Sequence, residues 1–176
     1  MSSQNKVLLS FIALVAFVVG IAMNTSRPEV VSEASALLSA KLETSNPSTG
    51  ESGVGTVEEN LSKLTLVNFW ATWCSPCRQE MPLFETMTRL HGANGFGVIG
   101  VAIDNPSTSQ PFLDEMDIRY PILYAERTGM ELMSLSGNEQ GLLPYSLLID
   151  ENGQVIDQVL GKIDEAKISA WISEHL

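Results

Sequence analysis

The chain is poor in the residues that hold metals and in those that neutralise phosphate. It has two cysteines and two histidines, His91 and His175, which stand far apart and without ligand spacing. A structural zinc site takes four ligands, commonly two CxxC pairs or one CxxC with two nearby histidines. A metal site built within this chain is therefore disfavoured, and each histidine reads as a surface residue at a helix end. Lys and Arg number 10 against 21 Asp and Glu, for a formal charge of -11. A nucleic-acid binder needs the opposite balance, because cations must displace the counterions of phosphate. The acidity reads as a solvated surface and names no partner. Several widely spaced cysteine pairs, the mark of a disulfide-stapled secreted domain, are absent. No internal repeat is visible, and no glycosidase, protease or kinase signature occurs. Asp104 and Asp114 lack a paired carboxylate at catalytic spacing.

What the chain does have begins with an apolar run. Hydrophobic residues make up 44% of the sequence, enough for a packed core, but part of that fraction lies in Val7 to Met23, VLLSFIALVAFVVGIAM. Lys6 precedes this uncharged run, and Arg27 and Glu29 are the first charges after it. Membrane-spanning helices need roughly 17–25 apolar residues, so residues 1–23 read as a signal peptide or a retained signal anchor, the length favouring the anchor. No cysteine stands directly after the run, which excludes a lipoprotein anchor. Either reading exports the rest of the chain and keeps the Lys6 end inside, and export permits disulfides.

Residues 24–56 are rich in Ser, Glu, Thr, Asn, Pro and Gly, ending in NPSTGESGVG. Such a composition buries too little apolar surface to offset chain entropy and predicts a flexible tether. Within it SEASALLSAKLE has the pattern of a short helix. The folded domain is expected over 57–176. LTLVNFW (64–70) reads as a buried strand. A helix follows with an apolar face of Met81, Phe84, Met87, Thr88 and Leu90, kinked by Pro82. GFGVIGVAID is a second buried strand, SQPFLDEMD a polar helix, YPILYA a short strand, and Met130 to Ser136 a brief helix. YSLLID and QVIDQVLG flank an Asn-Gly turn as a β-hairpin, and DEAKISAWISEHL is an amphipathic helix capped by Asp164. The alternation predicts an α/β fold with a mixed sheet. Gly95 to Gly100 fits GxGxxG but runs into a strand rather than joining a strand to a helix, so it is no dinucleotide fingerprint. Methionines 81, 87, 116, 130 and 133 read as core filler.

The two cysteines stand together in NFWATWCSPCRQEMP, with Ser75 and Pro76 between them. A staple closing so small a loop is worth only roughly 2 kcal/mol, against about 3 for fifteen residues. A redox couple has a firmer physical basis. If the strand ends near Trp70 and the helix starts near Cys74, unpaired N–H groups and the helix dipole lower the pKa of the first thiol. Cys77, almost one turn later, is placed to resolve a mixed disulfide. Pro76 suits the first helical turn, and Arg78 is spaced to support the thiolate.

FWATWCSPC after a hydrophobic strand resembles the thioredoxin superfamily, and WCSPCRQEMP is similar to its membrane-anchored TlpA-like branch, which includes the ResA and DsbE types. The resemblance covers roughly Leu61 to Leu176 and the single N-terminal anchor. It implies a thioredoxin-like fold, a central mixed sheet flanked by helices, with Asn105 to Arg127 as the branch's α/β insertion and one membrane helix in front. It implies that Trp73 and Cys74 are the aromatic and the exposed nucleophile. Ser75 and Pro76 tune the potential, and Cys77 is the buried resolving thiol. Leu143-Pro144 matches the cis-proline loop that faces the disulfide, binds incoming peptide and keeps metals off the thiols.

Two departures carry information. Many thioredoxins have a buried aspartate where this chain has Asn68, which cannot take up a proton. Glu80, three residues after Cys77, matches a glutamate of TlpA-like proteins and is the candidate acid–base group; the plainer reading is a first-turn glutamate complementing the helix dipole. After the proline stand Tyr145 and Ser146 rather than the acidic residue of DsbE-type proteins devoted to cytochrome c maturation. A general disulfide reductase is thus favoured over a haem-apoprotein reductase.

The expected protein is an extracytoplasmic thiol–disulfide oxidoreductase, single-pass in the inner membrane with its domain in the periplasm or its equivalent. It would use no cofactor beyond a Cys74–Cys77 disulfide and no metal. Its expected partners are exported disulfide proteins and a membrane thiol transporter as electron donor. A thiol peroxidase is an alternative, but WCSPC lacks the Pro and Thr pattern of peroxiredoxins. A non-catalytic module binding cysteine-containing clients is another.

Overall fold

The computed structural model describes residues 30–46 and 51–176. The apolar run at 7–23 lies outside the described residues; within them no helix is long and apolar enough to cross a membrane. In chain order the elements are α1 Val30–Ser39, β1 Leu42–Asn46, β2 Glu51–Gly55, β3 Leu64–Trp70, α2 Ser75–His91, β4 Phe96–Ala102, α3 Pro106–Glu115, β5 Ile122–Tyr124, α4 Gly129–Leu135, β6 Tyr145–Asp150, β7 Val155–Leu160 and α5 Glu165–His175. The seven strands form one mixed sheet in the order β2-β1-β5-β4-β3-β6-β7. β3, β4 and β5 are parallel neighbours, while β6, β7 and the β1–β2 hairpin add antiparallel strands at the two flanks.

β3 lies inside the sheet, between β4 and β6, and every one of its side chains is buried. A strand with no polar side has no place at an edge or against water. Alternation sends Leu64, Leu66 and Trp70 to one face, against Cys77, Met81, Phe84 and Met87 of α2 and Ile168 and Trp171 of α5. Val67 and Phe69 take the other face, against Leu37 of α1 and Leu132 and Met133 of α4. Each fully buried side chain of this size stabilises by roughly 1.5–3 kcal/mol. The sheet is thus a shelf carrying α2 on one side.

The helix starts follow local chemistry. Cys74 is the N-cap of α2 in extended conformation, its Sγ accepting the Cys77 N–H at 3.3 Å, with a proline in the first turn. Asn105 caps α3 by accepting the Thr108 N–H at 3.0 Å, so that helix starts at Pro106, earlier than its apolar pattern suggests. Asp164 caps α5 as expected. α2 runs on through Pro82 to His91. Gly153, at φ +79°, supplies the left-handed position of the β6–β7 turn.

One expectation needs correction. The flexible tether expected over 24–56 is, in its described part, the helix α1 and a β-hairpin. Ala34 and Leu37 of α1 and Leu42 of β1 are buried. β1 pairs antiparallel with β5; Thr44 Oγ1 donates to the Ile122 carbonyl at 3.0 Å, and Ser45 Oγ lies 2.9 Å from the Tyr124 hydroxyl. The hairpin is held by backbone pairing to an existing edge, a source of order that composition does not register.

Candidate active site

The two cysteines form a disulfide, with S–S 2.00 Å and Cα atoms 5.3 Å apart, across the first turn of α2. Cys77 is fully covered, and Cys74 keeps 5% exposure. Cys74 in its oxidised form is thus buried, more enclosed than the exposed nucleophile that the resemblance implies. Trp73 beside it is 70% exposed. The chain approaches Cys74 by a pinned route: the Ile103 N–H donates to the Trp70 carbonyl at 2.9 Å, and the Thr72 N–H donates to Asp104 Oδ2 at 2.5 Å. Asp104, unpaired in sequence terms, thus clamps the loop that presents the first sulfur. Arg78, spaced to support the thiolate, packs on an aromatic ring. It is exposed, and its guanidinium stacks on the Phe112 ring of α3 at 5.2 Å.

The Leu143-Pro144 peptide bond is cis, as the resemblance implies. Leu143 packs against the apolar cluster that contains both cysteines. Three devices hold this loop. Asn138 donates through Nδ2 to the Leu142 carbonyl at 2.8 Å and accepts the Leu142 N–H at 3.3 Å. The Tyr145 hydroxyl, just after the proline, donates to the Ser136 carbonyl and bonds Gln158. On the far side the Gly161 N–H donates to the Pro144 carbonyl at 2.8 Å. None of Asp104, Asn138 or Tyr145 carries a sequence signal for this work, because each acts through a fold contact.

Glu80 is wholly buried, on the same helix as Cys77 and three residues further on. It does not serve as an exposed first-turn acid. Its Oε2 accepts the Ile163 N–H at 2.8 Å and its Oε1 accepts from Asn68 Nδ2 at 3.1 Å. Burial pushes its pKa up to about 7, although the Ile163 amide, the Asn68 amide and the Lys162 charge all pull it back. Burial wins, because removing a carboxylate from water costs more than two amide donors return. Tyr120, also buried, is held well above its usual range by burial first and then by the charges of Glu80 and Glu85.

Sheet register explains how a carboxylate enters an apolar layer. Asn68 is paired with Gly100 on one side and Ser146 on the other. Gly100 has no side chain, and a Cβ there would meet Ile122 Cδ1 at 2.7 Å, Trp70 Nε1 at 3.0 Å and Tyr120 Cε2 at 3.3 Å. A short row of small and polar residues therefore runs over β4, β3 and β6, bounded by Ile122 and Val159, and Asn68 Nδ2 reaches Ser146 Oγ at 2.9 Å within it. Ser146, singled out in sequence only for not being acidic, proves to be part of the site. Of the five methionines expected in the core, Met81, Met87 and Met133 are buried and Met116 partly so, while Met130 is 55% exposed. Among the described residues no cluster of His, Cys, Asp and Glu is placed to hold a metal ion.

The Redoxin family model matches residues 44–170. The chain is 27% identical over 113 residues to the thiol-disulfide oxidoreductase ResA of Bacillus anthracis, covering 64% of this chain and 63% of that one. Against ResA of Geobacillus kaustophilus the identity is 29% over 107 residues, covering 60% and 59%. The chain thus spans less than two thirds of the length of these curated relatives. Among solved structures it is similar to a DsbE-type thiol:disulfide interchange protein of Chlorobium tepidum, with TM-score 0.61, 26% identity, and 77% and 90% of the two chains covered. StoA of Bacillus subtilis shares the fold at TM-score 0.56 and 22% identity, over 77% of this chain and 98% of that one. With a disulfide at the start of α2, a cis-proline loop and a family match over most of its length, this chain belongs to the Redoxin family, on the ResA- and DsbE-type side of the thioredoxin superfamily.

Proposed function

We propose that this protein is an extracytoplasmic thiol–disulfide oxidoreductase that reduces disulfides of exported proteins. The observation that carries the reading is a Cys74–Cys77 pair at a helix N-terminus with a buried carboxyl of pKa about 7 on the same helix. In the reduced enzyme the Cys74 thiolate attacks a client disulfide docked against the Leu143-Pro144 loop and the exposed Trp73 ring. A Cys74–client disulfide forms and one client thiolate leaves. Cys77 then passes its proton to the Glu80 carboxylate and attacks Cys74 Sγ. The second client thiolate leaves and the Cys74–Cys77 disulfide closes, so two electrons have moved from enzyme to client. Ser75 and Pro76 tune the potential of the pair, and Asn68 supports Glu80.

A pKa near neutrality suits Glu80 to this role, since the group must both accept and release a proton at working pH. The oxidised pair requires a dithiol donor on the membrane side, for which a thiol transporter of the membrane is the fitting class. The apolar run at 7–23 would anchor the chain with its domain outside the cytoplasm. Net direction depends on potential relative to the compartment, each 30 mV corresponding to about 1.4 kcal/mol.

The test is reduction of a protein disulfide by the full chain with a small dithiol as donor. Cys74→Ser should abolish turnover, and Cys77→Ser should accumulate a mixed disulfide with the client. Client binding and function untouched by Cys74→Ser would instead establish a non-catalytic module. Consumption of peroxide faster than of protein disulfide would establish a peroxidase.

A further inference from the structure

Asn68 is buried among apolar neighbours, yet its amide oxygen Oδ1 has no hydrogen-bond partner. An atom left so has given up its bonds to water without a replacement. The other end of the amide does two things at once, donating from Nδ2 to Glu80 Oε1 at 3.1 Å and to Ser146 Oγ at 2.9 Å. Both Glu80 oxygens therefore face N–H donors, Asn68 on one and Ile163 on the other. That arrangement suits a carboxylate. It does not suit a carboxylic acid, whose O–H needs an acceptor. Around Glu80 the fold supplies the amide of Asn68 from β3, the hydroxyl of Ser146 from β6, the N–H of Ile163 and the Lys162 charge from the β7–α5 loop, and Tyr120 from the segment before β5. Cys77 lies on its own helix. Two atoms of this set have no partner, Asn68 Oδ1 and the Tyr120 hydroxyl, and of the two only Asn68 Oδ1 belongs to a side chain already bonded to Glu80.

An amide turned over about its last torsion exchanges donor and acceptor in place. Oδ1 would then stand where Nδ2 stands now, facing Glu80 Oε1 and Ser146 Oγ. A serine hydroxyl can donate as well as accept, so Ser146 can follow. We propose that Asn68 is a two-way partner of Glu80, donating to its carboxylate through Nδ2 and, turned over, accepting its acid proton on Oδ1, with Ser146 reversing its hydroxyl to match. Asn68 is thus a positioning residue. It keeps both protonation states of Glu80 hydrogen-bonded, so the proton can arrive and leave without either state being stranded. An aspartate at this position could not do this while ionised, having acceptors only. The inference rests on the reading of Glu80 as the acid–base group of the dithiol.

The test is side-chain NMR of the full chain between pH 5 and 9, following the Glu80 carboxyl carbon and the Asn68 amide protons together. Contacts from those amide protons to the Glu80 and Ser146 side chains should be present at high pH. They should vanish at low pH, with the midpoint of the Glu80 titration. Asn68→Leu should then change the proton affinity of Glu80 by less than about threefold, because both forms lose one bond. A larger rise in affinity, as loss of a donor to the charged form alone would give, overturns the proposal. So do amide contacts that persist while Glu80 titrates. If the amide turns over but Glu80→Gln leaves thiol–disulfide kinetics unchanged, the acid–base reading fails and the coupling of Asn68 to Glu80 stands; the reverse pair of results removes only the coupling.

Discussion

Glu80 Oε2 accepts the backbone N–H of Ile163 at 2.8 Å, joining the active helix to a loop 83 residues later in the chain. The bond fixes where the carboxyl sits, below the first turns of α2 and beside Asn68, and it binds α2 to the entry of α5. Chemistry and stability are therefore coupled at one side chain.

Stability of the oxidised protein should fall between about pH 5 and pH 8 on account of Glu80. Its folded pKa is raised from 4.5 to about 7, so the folded state holds a proton that the unfolded chain releases earlier. Below 4.5 both states are protonated and the contribution is fully present. It declines as the unfolded chain ionises and is lost once pH passes about 7, a total of roughly 3 kcal/mol. Urea unfolding midpoints measured across this range should show the slope, and Glu80→Gln should flatten it.

Asp104→Ala should loosen the approach to Cys74. It strips the acceptor from the part-buried Thr72 N–H, now bonded at 2.5 Å, and an unsatisfied buried donor costs roughly 1–3 kcal/mol. Asp104→Asn retains an acceptor and should lose less. Thermal unfolding of both variants compares the stabilities, and the alkylation rate of reduced Cys74 reports whether the loop still presents the sulfur. A loss equal in the two variants would mean that the charge, not the acceptor, does the holding.

Gly100→Ala should destabilise by about 1–3 kcal/mol through overpacking. The added methyl meets the tip of Ile122, which can shift, but also the indole of Trp70 and the ring of Tyr120, both buried and closely packed. The same methyl stands next to Asn68 in the sheet register, so the pH slope assigned to Glu80 should change as well. Chemical denaturation at two pH values reads both effects, and an unchanged midpoint at each would show that the three neighbours yield freely.

Asn138→Ala should act on client binding more than on chemistry. The side chain bonds both backbone groups of Leu142, holding the segment that leads into the cis Leu143-Pro144 bond. Without it the loop is less preorganised, and affinity falls through added ordering cost. Steady-state reduction of a protein disulfide should show KM raised several-fold with kcat changed less, while a small disulfide that needs no docking loop should be reduced at nearly the native rate.

How much of this was legible beforehand follows from what kind of information each feature carries. LTLVNFW announces a buried strand because its seven residues leave no polar side for water, and the Asn-Gly pair announces a hairpin because few other pairs accept its geometry. WCSPC announces a redox pair because spacing, proline and helix start lie within a few residues of one another. Such local signals placed the cysteines, the Asp164 cap and the helices α2 and α5 from the sequence alone, while the Asn105 cap of α3 went unread, and resemblance added the cis-proline loop and Glu80. The β1–β2 hairpin stayed hidden because its order comes from pairing with β5, about 80 residues away, and not from its own side chains. Arg78 had helical spacing to reach the first cysteine, but the ring of Phe112 offered a better surface. The elevated pKa of Glu80, the clamp of Asp104 and the row of Gly100, Asn68 and Ser146 exist only once three strands and two loops converge. The chain's own order decides which groups are available; burial and the donors that meet them, both products of tertiary packing, decide what those groups do.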